Sequence, residues 1–544
     1  MDENDFLIRN ARLYDGSGRE AFLADVTVHG SRIADVRPAG KAAACSPLGT
    51  GKPEHSLDAE GRTLTPGFID VHSHSDISLL AAPEAFGKIS QGVTTEIVGN
   101  CGLSVFPVLS EEVRAHLNEL YRDYGEKITW DALEGYASEL ERRRVGVNVA
   151  SLCGHNTLRA SVSGYEDVPL EAPDLLRMRA ALRGALQSGA VGFSTGLLYI
   201  PGKFSSEEEL LSLMRELREE DAVYATHLRN EGDFLEEALD EALRLARAGS
   251  GRLQISHLKT ALPENWHKLP SVLERIGNAR REGLSVHADR YPYTFGQTSL
   301  SVILPPPYDK MTDSAIREAL SRDASACDSL RSGLERETFW DGIILTSSSL
   351  REYEPLFGLP MPQAAEKAGM TPAALTVELM RKDAPAAMAA FGGLSPENLR
   401  NILSRPWVCC GSDENARPRD YSLGRSHPRA FGSFPKFLRM VAETEGMAEA
   451  VRRVSSLPCS IFRIAGRGLV KPGYFADLTL LDETELQDRA DFAHPHRPAD
   501  GILAVWVNGV LSYAPSAEGN VPGRAGRFLR FSPGSVISEA VSPA

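Results

Sequence analysis

Residues 64–76, LTPGFIDVHSHSD, decide how the rest of the chain is read. A Pro-Gly punctuator leads into a short apolar run, Phe68, Ile69 and Val71, which ends in His72 and His74 with Asp76 just beyond. In an extended segment, residues two apart point the same way. Both imidazoles therefore leave one strand end toward a common point, as two ligands of one metal must. Two hydrogen-bonded histidines at a strand end give the same spacing, so the motif alone is weak. The later strands decide between the two.

Working outward, similar short apolar runs recur at 67–71, 92–98, 146–152, 190–195, 222–226, 251–256, 284–288 and 406–410. Helical patterns separate most of them. In 205–220, Ser205 and Glu208 read as a capping box, with Leu210, Leu213, Met214 and Leu217 on one face. In 232–248, Leu235, Leu239, Leu243 and Ala246 repeat that periodicity. Eight such runs alternating with helices predict an α/β fold, a parallel (β/α)8 TIM-like barrel. A doubly wound open sheet is the competing architecture. The interval 296–405 is too long for one loop and predicts a helical insertion.

Both chain ends have a different texture. FLIRNARLYDGSG and ADVTVHGSRIADV near the start, and GRGLVKPGYFADLTLLD and ADGILAVWVNGVLSY near the end, read as short half-buried strands between turn signals. They predict a small β-domain assembled from residues 1–64 and 467–532, flanking a barrel over 65–466. Residues 38–56 read as a loop and 533–544 as a solvated tail.

The chemistry gathers where the central runs end. Gly99-Asn100-Cys101-Gly102 follows the second run, His227 the fifth, His257 the sixth and Asp413 the eighth. In a barrel, the carboxyl ends of all strands open onto one face, so these residues can converge with His72 and His74 although they span most of the chain. Taken singly, Cys101 reads as a small buried residue and Asp413 as a helix cap or surface charge. Six suitable side chains at five strand ends read as a metal centre, and thiolate with imidazole suits zinc.

Composition sets the outer limits. The chain has 544 residues, 42% of them hydrophobic, room for one large barrel with an appendage. A net charge of −14 disfavours a nucleic-acid backbone as partner. Seven cysteines without a regular framework predict a reducing compartment. The acidic start MDENDFLIRN lacks a secretory pattern, and no apolar run approaches the roughly 18 residues that span a bilayer. The expectation is a cytoplasmic protein with no membrane partner; oligomeric state is left open.

A family resemblance rests on these motifs in order: HSHSD (72–76), GNCG (99–102), GHNTLR (154–159), STGLLYIPG (194–202), THLRNEG (226–232), ISHLK (255–259), YPYT (291–294), GSDENARP (411–418) and HPRAFGSFPKFL (427–438). Together the chain resembles the N-acyl-D-amino-acid deacylase (D-aminoacylase) family of the amidohydrolase superfamily, over nearly its whole length. Most superfamily relatives with two metals bridge them by a carboxylated lysine on the fourth strand; here Ser194-Thr195-Gly196 stands there instead. The resemblance implies Zn2+ held tightly by Cys101, His227 and His257, with a second, weaker position at His72, His74 and Asp413. It also implies Asp413 as general base and acid, and a small N-acyl amino acid as substrate.

For that substrate, Arg429 resembles the family's carboxylate clamp, with Tyr291 and Tyr199 as hydroxyl partners; a structural ion pair is the competing reading of Arg429. Lys259 reads either as an anion-attracting group at the mouth or as a barrel salt bridge. His155 reads as structural. The chain departs from the pattern at Gln297, where relatives often carry a small hydroxyl residue, and after Asp413, where Glu414-Asn415-Ala416-Arg417 replaces a common Gly. Both departures bear on side-chain preference. Two rival readings are a cyclic-amide hydrolase of the hydantoinase or dihydroorotase kind and a non-catalytic scaffold on the same fold. The absent lysine and the His-Pro-Arg segment count against the first, the full ligand set against the second.

Overall fold

The computed structural model describes residues 5–40, 55–335, 340–515 and 523–531. Each of the eight apolar runs becomes a strand of one sheet: Phe68–Asp70, Val93–Val98, Asn148–Gly154, Gly192–Gly196, Val223–His227, Arg252–Ile255, Ser285–Asp289 and Val408–Cys409. Neighbours in the chain are neighbours in the sheet, all parallel. The first and last strands then meet through a parallel bridge between Ser73 and Glu414, and the Asp413 N–H donates to the His72 carbonyl at 2.8 Å. That seam makes a barrel and removes the open sheet from consideration.

Alternation along the strands explains why the barrel is filled. Ile69, Val71, Ile97, Ala150, Leu152, Val223 and Ala225 form one cluster inside, with Leu457, Phe462 and Phe531 added from the C-terminal segment. Their sequence neighbours Phe68, Val98, Val149 and Tyr224 belong to the larger cluster shared with the surrounding helices. Leu210, Leu213, Met214 and Leu217 supply one such helix, Glu207–Glu220, and all four are buried. Its cap lies one residue beyond the expected position: Ser206, not Ser205, accepts from the Glu209 N–H. The Glu209 carboxylate is not returned to the cap, because it pairs with His155 and Arg159.

Strands from both chain ends share a second sheet. Thr63–Pro66 lies between Phe6–Leu13 and Leu478–Leu481, with Phe22–His29 and Arg32–Pro38 on one side and Ile502–Val507 and Val510–Tyr513 on the other. The interval before the last barrel strand is not helical throughout. It carries an antiparallel sheet of Gly296–Ser299, Met388–Phe391 and Ile343–Ser347 beside its helices, over a hydrophobic cluster of its own. The expected tail at 533–544, and most of the expected loop at 38–56, lie outside the described residues. Among the described residues no helix is long and apolar enough to cross a membrane.

The barrel seam is pinned by a fully buried charge cluster beneath the strand ends. Lys88 donates to Asp70 Oδ2 at 2.8 Å, to Ser412 Oγ at 2.9 Å and to the Glu414 carbonyl at 2.8 Å, and lies 3.3 Å from Glu96. Asp70 also accepts from the Ser412 N–H at 2.9 Å, so one lysine ties the first strand to the last. Lys88→Met would leave two buried carboxylates without their cation, a loss of about 3–5 kcal/mol. Chemical denaturation should show a correspondingly lower midpoint; an unchanged midpoint would take the seam's stability away from this cluster.

Candidate metal centre

At the carboxyl face of the barrel, Cys101 is the hub. Its Sγ lies 3.2 Å from His72 Nε2, 3.6 Å from His257 Nε2 and 3.8 Å from His227 Nδ1. These side chains come from the first, second, fifth and sixth strand ends, and all four are buried. His74 and Asp413 complete a second cluster beside it: Asp413 Oδ1 is 3.2 Å from His74 Nε2 and 3.4 Å from His72 Nε2. Two groups of potential ligands therefore share His72, namely His72 with Cys101 and His257, and His72 with His74 and Asp413. His227 joins the hub from the other side, its ring 4.4 Å from that of His257.

Local backbone makes this convergence possible. Cys101, His257 and Asp413 all sit at positive φ, at 53°, 37° and 53°. This left-handed region costs a non-glycine residue energy and gathers at functional sites. Each residue turns sharply just after its strand, so its side chain looks across the barrel mouth instead of along it. The flanking Gly99 and Gly102, at φ 75° and 74°, have no alternative: a Cβ on Gly99 would meet the Leu152 carbonyl oxygen at 2.2 Å. The GNCG motif is thus a turn that holds up one sulfur.

Two residues that the sequence reading left unassigned back the imidazoles. Asp289, the last residue of the seventh strand, lies 3.1 Å from His72 Nδ1 and accepts from the His257 N–H at 2.9 Å and from Gln254 Nε2 at 2.9 Å. Glu231 lies 3.0 Å from His257 Nδ1 and 3.6 Å from His227 Nε2. Each of these three histidines turns one ring nitrogen to Cys101 and the other to a carboxylate. That is how outer carboxylates orient metal-binding imidazoles and raise their basicity. A signal was present for both: Asp289 directly follows the apolar run 284–288, and Glu231 falls within THLRNEG, four residues after His227.

The electrostatics suit a thiolate. Burial pushes the Cys101 thiol up, but the charge of His72 and hydrogen bonds from His227, His257 and His72 outweigh it and hold the group well below an ordinary thiol. Asp413 behaves alike: burial raises it, while Arg429, His72 and His257 pull it well below the usual carboxylate range. A buried sulfur ringed by imidazole nitrogens is a soft and borderline donor set, which fits zinc and not a hard cation such as magnesium. His227 Nε2, buried without a hydrogen-bond partner, lies on the far side of the ring from Cys101, where His227, Glu231 and His257 form a third group of potential ligands.

The expected substrate contacts are distributed unevenly. Arg429, the first residue of the helix Arg429–Glu445, donates through Nη1 to Asp413 Oδ2 at 2.8 Å, and its guanidinium carbon lies 4.8 Å from the centre of the Tyr291 ring. Tyr199 stands edge-on to His227, with ring centres 4.9 Å apart. Gln297 reaches Arg429 through its backbone carbonyl, at 3.4 Å from Nη2, while its side-chain Oε1 is unpartnered. Lys259 forms a salt bridge: Nζ donates to Glu231 Oε1 at 2.6 Å and lies 2.7 Å from His257 Nδ1. His155 bonds Glu209 at 2.8 Å and belongs to none of the three ligand groups found among the described residues.

Comparison with known proteins gives the family. The amidohydrolase family model matches residues 56–319 and 364–513. The chain is 32% identical over 528 residues to an N-acyl-D-glutamate deacylase of Alcaligenes xylosoxydans xylosoxydans, covering 96% of each chain. It is equally 32% identical, over 514 residues and 93% of each chain, to a D-aminoacylase of the same organism. Among solved structures, the N-acyl-D-glutamate deacylase of Bordetella bronchiseptica, complexed with zinc and a phosphonate mimic of the tetrahedral intermediate, superposes with a TM-score of 0.79 at 31% identity. That match covers 97% of this chain and 99% of that one.

Proposed function

The chain belongs to the amidohydrolase family, in its branch of N-acyl-D-amino-acid deacylases, and from that membership we propose that it hydrolyses the amide bond of N-acyl-D-amino acids with Zn2+ as cofactor. The observation that supports this most is the meeting of Cys101, His72, His227 and His257 around one point, with Asp413 and Arg429 at its edge. Cys101, His227 and His257 would hold the tighter ion, and His72, His74 and Asp413 a weaker one. When bound there, zinc supplies Lewis acidity, lowering the pKa of water to about 7 and polarising the acyl carbonyl.

The chain's own residues supply proton transfer and alignment. Asp413 takes one proton from water as the water oxygen adds to the acyl carbon. It returns that proton to the nitrogen as the C–N bond breaks, because an amine leaves only once protonated. The products are a D-amino acid and a carboxylate. Arg429 offers a planar guanidinium to the α-carboxylate, with the Tyr291 ring against it and the Tyr199 and Tyr291 hydroxyls as further donors. Asp289 and Glu231 keep the imidazoles turned to the hub. Lys259 holds Glu231 in place, and Gln297 stands where a substrate side chain would be read.

The test is a panel of N-acetyl-D- and N-acetyl-L-amino acids, with metal content measured on the same sample. Turnover of D substrates by zinc-loaded protein is expected; no turnover of any of them overturns the reading. Arg429→Lys keeps the charge but loses the fork. A charge-assisted hydrogen bond is worth roughly 1.5–3 kcal/mol, so kcat/KM should fall by about ten- to a hundredfold, mainly through KM. Unchanged kinetics would discard the clamp.

A further inference from the structure

The fourth strand carries none of the six proposed ligands, yet the turn that holds up Cys101 rests on it. Ser194, in Gly192–Gly196 and fully buried, grips both ends of the turn Gly99–Gly102 with one hydroxyl. Its Oγ donates to the Gly99 carbonyl at 2.5 Å and accepts from the Gly102 N–H at 3.0 Å. The third strand lies between the second and the fourth, so the turn crosses the end of the third to reach Ser194. The helix His155–Ser163 steadies that crossing: the N–H groups of Asn156 and Thr157 donate to the Gly102 carbonyl at 2.9 and 3.3 Å. The approach leaves no slack. A Cβ on Gly196, two residues after Ser194, would meet the Cys101 carbonyl oxygen at 2.0 Å.

Cys101 sits inside this turn at φ 53°, a conformation that a non-glycine residue keeps only where its surroundings impose it. Asn100 is tied locally, its carbonyl accepting from the Leu103 N–H at 2.9 Å and its Nδ2 donating to the Ile97 carbonyl at 2.8 Å. Ser194 instead joins Gly99 to Gly102 across the turn and so sets its span. We propose that Ser194 is a positioning residue for the Cys101 sulfur. Its hydroxyl keeps the turn closed before any ion is bound, so the sulfur already faces His72, His227 and His257 when zinc arrives. A ligand held in place beforehand binds more tightly, because its ordering is not charged to the binding step. Without the hydroxyl, a buried carbonyl and a buried N–H lose a shared partner, and the left-handed residue between them is free to relax away from the hub. The fourth strand thereby serves the metal centre through hydrogen bonds instead of a ligand.

The inference rests on the zinc-deacylase reading, and the experiment separates the two. Zinc affinity is measured by equilibrium dialysis on the full-length native protein, on Ser194→Ala and on Thr195→Val. Each is also loaded with Co2+, whose sulfur-to-metal charge-transfer band reports the bond to Cys101. Thr195 is the reference because its hydroxyl, equally buried, meets those of Tyr224 at 3.0 Å and Thr226 at 2.7 Å and not the turn. Ser194→Ala is expected to weaken zinc binding by about ten- to a hundredfold, as losing an outer partner of a ligand does, and to diminish the cobalt band. Thr195→Val should keep both. A lower unfolding midpoint for Ser194→Ala with native zinc affinity and a native cobalt band makes the serine merely structural, and overturns the inference while the reading stands. An equal loss of affinity in both variants overturns it too. If Ser194→Ala does not fold, hydrogen exchange on the native protein decides. Amides of residues 99–103 should exchange slowly with and without zinc, and fast exchange in the zinc-free protein overturns the inference. A native protein that binds no zinc removes the reading and the inference together.

Discussion

Asp413→Asn should keep zinc content close to native and lower kcat by about a hundred- to ten-thousandfold, the usual contribution of a positioned acid–base group. The side chain keeps its shape, and its remaining carbonyl oxygen can still accept from Arg429 Nη1, so the loop after the eighth strand has no reason to move. The φ of 53° at this position is also one that asparagine tolerates better than most residues. What disappears is the capacity to take and return a proton. Measuring metal and turnover on one sample separates the two possible roles. Zinc retained with turnover lost identifies the proton carrier, whereas zinc lost in proportion to turnover identifies a ligand whose chemistry lies elsewhere. Turnover near native would remove Asp413 from the mechanism.

The barrel was legible because parallel strands buried on both faces read as continuous apolar runs, and each of the eight runs became a strand. The six proposed ligands were legible for a topological reason: in this fold, position after a strand is position at the mouth. What escaped was whatever depends on facing rather than on order. Asp289 looks in sequence like any strand-terminal acid, and only the fold shows its oxygens on His72 and the His257 N–H. Glu231 is an ordinary charge until seen between two imidazoles and Lys259. The cap of the helix Glu207–Glu220 shifted by one residue because two adjacent serines offer the same signal, and the neighbours His155 and Arg159, distant in sequence, claimed Glu209. The antiparallel sheet inside the interval 296–405 was missed since its strands, four or five residues each and 40 or more apart, leave no hairpin signature.

Glu414 illustrates the same limit. In sequence it is a departure from a common pattern after Asp413, whereas the fold sets three basic side chains around it: Lys88 from a helix after the first strand, Arg417 from its own loop and Arg429 from the helix after the eighth strand. The pairing of Asp413 with Arg429 likewise joins the proposed proton carrier and the proposed carboxylate clamp in one ion pair, where the motifs GSDENARP and HPRAFGSFPKFL suggest two separate roles.

Cys101→Ala is expected to abolish tight zinc binding and, with it, turnover. The sulfur is the one atom that all three buried imidazoles approach, and as a thiolate it is the anion that balances the metal's charge at the hub. Alanine accepts the same backbone angles about as well as cysteine, so the GNCG turn and the fold should persist. The loss should exceed the roughly ten- to hundredfold drop in metal affinity typical of an outer carboxylate. Asp289→Asn supplies that reference: it weakens the orientation of His72 but removes no ligand. The predicted order of zinc affinity is therefore native, then Asp289→Asn, then Cys101→Ala. Equilibrium dialysis reads that order directly. Thermal unfolding gives an independent reading, because a ligand bound only by the folded state raises Tm. Added zinc should raise the Tm of native protein and of Asp289→Asn, and leave that of Cys101→Ala nearly still. If Cys101→Ala binds zinc as tightly as native protein and turns over substrate, the thiolate is not a ligand. The hub would then have to be rebuilt around His72, His74 and Asp413 alone.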